Sequence, residues 1–230
     1  MTELSIGEID SLVLKAYRGA GFSWGLSQEA GRAAAWMAMR GLPAAKCFAE
    51  LLQQTDGLEH ATLTPEIPDG NWSNVRSLGI PSCGSAFCPI IVGTMLSDYG
   101  WISGGELTLG SVYSSLIMIP FVSACAESAG IALCVNVGEE SLLLMANGQL
   151  ASGFSDYGFT NYAFNKPATV IVSEWKSADE RTEFVAPLLR RVPIADAAMA
   201  QLESLAHRTY VPASEQSRSG AGAGLSLIHI

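Results

Sequence analysis

Apolar residues recur three and four positions apart through the first fifty residues, and that spacing predicts helices. Ile6, Ile9, Val13, Ala16, Tyr17 and Ala20 make one stripe of a helix over 5–20. Ser5 and Glu8 stand at capping-box spacing ahead of it, where hydroxyl and carboxylate satisfy orphan amides. Gly19 and Gly21 bracket its end. A second helix is expected over 27–40, rich in alanine with Trp36 and Met37 as bulk, and stopped by Gly41 and Pro43. A third is expected over 44–54. Small residues let the three pack closely as one helical layer. Trp24 falls in the turn between the first two helices and reads as a core anchor.

From Asp56 to Ser82 the periodicity is lost among Gly57, Pro65, Pro68, Gly70, Gly79 and Pro81. This is a long connection or a set of short strands, and the best place for an internal boundary. Pro89 then suits the first position of a helix running to about Asp98. The stretch 100–110 is glycine-rich and turn-like. Beyond it a short strand leads into a helix over 116–128, capped by Gly130, with Pro120 marking a first turn or a kink.

Alternating and β-branched runs predict strands at 131–137, 141–145 and 168–172, the last continuous enough to be central. Asn147-Gly148 is the signal of a type I′ hairpin, with a return strand over 150–154. The loop Asp156–Phe164 is aromatic and reads as the seal of a core edge or dimer contact, with stacking on a planar ligand as the alternative. Asp179-Glu180-Arg181 is a solvated charge run. Ile194 to Ala206 is the last helix, buried through Ile194, Ala198, Leu202 and Leu205. The fold class that follows is α+β, with an N-terminal helical layer on a mainly antiparallel sheet, a C-terminal helix and a Gly-rich tail. Residues 1–224 read as one domain.

Composition narrows the function classes. The 230 residues are 49% hydrophobic and 15% charged, so a large core is expected, with some apolar surface left for a partner such as a second copy. A net charge of −9 argues against nucleic acid and anionic membrane as partners. The five cysteines are odd in number, and no export signal precedes them, which points to free thiols in a reducing cytoplasm. The most apolar run, 116–121, is far too short to span a bilayer.

Cys88 precedes Pro89 at a helix N-terminus, where the dipole favours thiolate. A nucleophile is one reading. A small buried residue is the favoured one, because no histidine lies nearby in sequence. Zinc ligation lacks a second ligand pair, so no metal is expected. Among His60, His207 and His229, none stands in a recognisable triad.

Polar chemistry is concentrated in His207–Arg218, followed by alternating glycine and alanine to Gly224. Arg208 and Arg218 offer planar forks matched to carboxylate or phosphate. Gly220 and Gly222 can turn backbone amides into one concavity, and Ser217 adds a donor. Tyr210 and Glu215 are the proton-transfer candidates. The competing reading is an internal clamp, in which Arg208 or Arg218 pairs with Glu215 and pins the tail.

The run Arg208–Glu215, then Ser217-Arg218, then Gly220–Gly224, resembles the signature of domain-of-unknown-function family 3726, an uncharacterised bacterial family. Gly21-Phe22-Ser23-Trp24-Gly25-Leu26, Glu29-Ala30-Gly31 and Gly41-Leu42-Pro43 are similar to its opening. The resemblance implies no activity. The last residues, Leu225 to Ile230, depart from it and resemble translated adapter or vector sequence, so His229 is given no role. The helices ending in Arg40-Gly41-Leu42 also resemble the start of the lactate/malate/ureidoglycolate dehydrogenase family that lacks the usual dinucleotide fold. There a catalytic histidine follows the Arg-Gly pair; here Pro43 to Cys47 follow, which argues against such an enzyme. No dinucleotide fingerprint or phosphate loop is present, so no cofactor is implied. Two functions remain: a protein that binds a small anionic metabolite, catalytically or not, and a non-catalytic subunit docking through apolar surface.

Overall fold

The computed structural model describes residues 2–67, 72–81, 86–101, 105–138, 140–150, 167–175 and 188–210. The fold is α+β, with helices α1 (Ile6–Gly19), α2 (Trp24–Met39), α3 (Ala44–Thr55), α4 (Pro89–Tyr99), α5 (Met118–Ala129) and α6 (Asp196–His207). Strands β2 (Glu106–Val112), β3 (Leu133–Val137), β4 (Glu140–Leu144) and β5 (Ala168–Glu174) form an antiparallel sheet in the order β2-β5-β3-β4. The short strands β1 (Thr2–Ser5) and β6 (Arg191–Ile194) make a separate antiparallel pair.

α1 begins where the capping box predicts. Ser5 Oγ accepts from Glu8 N, and the Glu8 carboxylate accepts from Ser5 N at 2.7 Å. Its stripe of Ile9, Val13, Ala16 and Tyr17 is buried. Glycines set the closest approaches. A Cβ on Gly31 would overlap Asp10 where α1 crosses α2, and one on Gly19 would overlap the Leu205 carbonyl where α1 meets α6. A Cβ on Gly93 would overlap the Phe121 ring between α4 and α5. α4 starts at Pro89, and α5 carries Pro120 in its first turn and ends at left-handed Gly130, as the sequence predicts.

Trp24 is not a core anchor. It is the first residue of α2 after the N-cap Ser23, a position that projects outward, and it is 62% exposed under the Arg18 guanidinium at 4.9 Å. The core place belongs to Phe22, whose ring lies 4.9 Å from Tyr17 and 4.0 Å from His60.

The glycine-rich stretch before 110 is not all turn, since β2 begins at Glu106. Gly110 adopts φ +72° at a bulge after Thr108, and a Cβ there would strike the Gly79 carbonyl. The outer edge of β2 is covered by the 56–82 connection and its continuation. Leu78 N donates to Thr108 O, Thr108 N to Arg76 O, and Phe87 N to Ser111 O, at 2.8–2.9 Å. β5 is central, flanked by β2 and β3.

The Asn-Gly turn forms with a different geometry. Gly148 takes φ +73° and donates to Met145 O, while Asn147 is not left-handed. This is a type I turn closed by a glycine bulge in place of type I′, with Asn147 Oδ1 accepting from Gln149 N. A single bridge, Leu144 to Leu150, begins the return, and 151–154 lie outside the described residues. The loop 156–164, the charge run 179–181 and the tail from 211 also lie outside them.

Ile194 closes β6 and does not open the last helix. Backbone pairing with Thr2 holds it extended, and α6 starts two residues later. Among the described residues no helix is long and apolar enough to cross a membrane.

Candidate functional site

α6 is built to deliver its C-terminus to the surface. Ala198, Leu202, Leu205 and Ala206 are buried on one side, and Gln201 Nε2 donates to Ala49 O at 2.7 Å, which fixes α6 against α3. The chain then turns through Arg208, Thr209 and Tyr210, with Tyr210 N donating to His207 O.

The candidates on this turn separate. Arg208 points to the end of α3. Its Nη1 and Nη2 donate to the two carboxylate oxygens of Asp56, both at 2.9 Å. The hydrogen bond from Arg208 holds the Asp56 carboxyl below its usual range, and the same bond raises Arg208. The fork therefore closes on a carboxylate 152 residues away in sequence. Tyr210 faces the other way. It is 55% exposed, packs edge-on to His207 at 5.2 Å, and lies under Lys15 Nζ at 6.0 Å from the ring centre.

Tyr210 and His207 form one wall of an open hollow of about 530 Å³ between α1 and α6. Glu203, one turn back on α6, joins them. The facing wall is the outer side of α1, where Glu8, Ser11, Leu12 and Lys15 recur at helical spacing away from the buried stripe. Glu8 is held by the Ser5 cap, and hydrogen bonds from the Ser5 side chain and backbone lower its carboxyl. Neither Lys15 nor Glu203 forms an ion pair among the described residues. Arg208 does not line the hollow. Glu215, Ser217, Arg218, Gly220 and Gly222 lie outside the described residues.

Lys15 and Glu203 are not evident from the sequence as site residues. The available signal is only that both stand on polar helix faces; their meeting depends on the α1–α6 crossing.

Cys88 sits at the N-cap of α4, as its position before Pro89 implies, but it is fully buried. Amides of Ile91 and Ile90 favour the thiolate, yet burial outweighs them and pushes the thiol up to about 11. Its neighbourhood is interior: the Tyr17 hydroxyl is buried near Cys47 and Cys88 and has no hydrogen-bond partner among the described residues. Burial likewise pushes Cys47 to about 12. No group of three metal-ligating side chains occurs among the described residues.

No curated protein and no solved structure matches this chain. Residues 4–73, from β1 through α3 and into the connection that follows, match the model of an uncharacterised domain family described as Protein of unknown function (DUF3726), the family that the opening of the chain resembles.

Proposed function

We propose that this protein binds a small anionic metabolite, a carboxylate or phosphate, in the hollow between α1 and α6. The observation that supports this most is Lys15. It is a cation without a carboxylate partner among the described residues, poised over Tyr210 at a concave surface. An anion would accept from Lys15 Nζ, with His207 and the Ser11 hydroxyl within the same hollow as further donors. Tyr210 is the proton-transfer candidate of this corner. Arg208 serves as the clamp that anchors the end of α6 to Asp56. The setting is a reducing cytoplasm; what supports that is three buried thiols outside any disulfide, Cys47, Cys88 and Cys125.

The test is a thermal-shift screen of carboxylates and phosphates, followed by titration of the hits. A ligand at a hundred times its dissociation constant stabilises the fold by about 2.7 kcal/mol. Lys15→Ala is expected to weaken binding roughly tenfold or more, as loss of a charged hydrogen bond does, while Arg208→Ala leaves affinity close to wild type. Binding indifferent to Lys15→Ala would refute the site.

The second reading, docking on another chain, is favoured by the exposure of Trp24 and of Ile80, the latter 87% accessible. A stoichiometric co-purifying partner, with no ligand-induced thermal shift, would support it over the first.

A further inference from the structure

The charges around the hollow are mixed. Lys15 supplies one positive charge, and Glu8 and Glu203 supply two negative ones. Glu8 is already engaged by its own helix cap and stands near Arg191. Glu203 is exposed and makes no ion pair among the described residues. A ligand carrying only negative charge would meet Lys15 favourably and Glu203 unfavourably. A ligand carrying both a carboxylate and an ammonium satisfies both. Leu12 and Ala206 give the hollow an apolar middle.

We propose that the hollow takes a zwitterionic, amino-acid-type ligand, its carboxylate held by Lys15 and its ammonium by Glu203. This rests on the reading of the hollow as an anion site and narrows it. The apolar lining at Leu12 and Ala206 receives the ligand's side chain, and the 530 Å³ volume holds one amino acid or a short peptide. Glu203 is the specificity determinant, because it distinguishes an amino acid from the same acid with its amine blocked.

The experiment uses the full chain, with the twenty common amino acids, their N-acetyl derivatives and inorganic phosphate as probes, ranked by thermal shift and measured by calorimetric titration. The expected result is that one or more amino acids bind up to about fivefold more tightly than their N-acetyl forms, the size of one solvent-exposed charge pair. Glu203→Gln should erase that difference, and Lys15→Ala should weaken both members of the pair. N-acetyl forms or phosphate binding as well as the free amino acids, still dependent on Lys15, would overturn the zwitterion and leave the anion site standing. Binding of no probe that depends on Lys15 would overturn both. Circular dichroism of Glu203→Gln and Lys15→Ala is expected to match wild type, since both side chains lie on the surface of their helices.

Discussion

Gly19→Ala is the substitution that tests how the hollow is built. Gly19 is the last residue of α1, and the added methyl would occupy the position of the Leu205 carbonyl of α6. That obstacle is backbone, so no side-chain rotation relieves it and α6 must move. Overfilling a packed contact costs about 1–3 kcal/mol. Replacing glycine by alanine returns up to about 1 kcal/mol of helix propensity, less at a helix end. The net loss is therefore about 1–2 kcal/mol, and at roughly 2–4 °C per kcal/mol for a chain of this size, melting should fall by roughly 2–8 °C. Scanning calorimetry reads this directly. Gly7→Ala is the control: it lies on the same helix with no atom within 4 Å of the new methyl, and its melting should be unchanged or slightly raised. The same displacement of α6 should weaken any ligand of the hollow. A Gly19→Ala protein melting at or above wild type would refute the claim that α1 and α6 meet at their backbones.

Two further outcomes are expected. His60 stacks on buried Phe22, and burial lowers its imidazole below the ordinary value. The unfolded chain therefore takes up a proton first, so stability is full above about pH 6.5 and declines as pH drops below it, until the folded imidazole protonates as well. Urea midpoints between pH 8 and pH 5 should show this slope in wild type and a weaker one in His60→Gln; equal slopes would count against the burial account. The thiols of Cys47, Cys88 and Cys125, pushed to about 12, 11 and 11, should resist a thiol reagent at pH 8 in the native state and react promptly in denaturant. Labelling of native Cys88 at the rate of a free thiol would revive it as a nucleophile.

Local chemistry was legible in the sequence. The Ser5–Glu8 cap, the Pro89 start and the Gly130 stop each depend on residues within one helical turn, and each appears where the pattern predicts. What the sequence does not display is pairing at a distance. β1 and β6 are four residues each, too short for any alternation to mark them, and exist because they find one another across the chain. Arg208 was readable as a fork seeking a carboxylate, and the partner it has among the described residues is Asp56, far away in sequence, while Glu215 lies outside them. Trp24 was misplaced because an aromatic at a helix start can face outward when a neighbour, here Phe22, already fills the interior. Lys15 became visible as part of a site only when α6 was laid beside α1.

The strap along β2 has a bearing on solution behaviour. An uncovered sheet margin is a template on which a second molecule can add a strand. Here that margin is already engaged by residues 76–78 and 87, through bonds at both ends of the strand. The consequence is that fibre-like stacking cannot begin from this side of the sheet without first peeling the strap away, and loosening the Gly79–Gly110 contact is the step that would expose it.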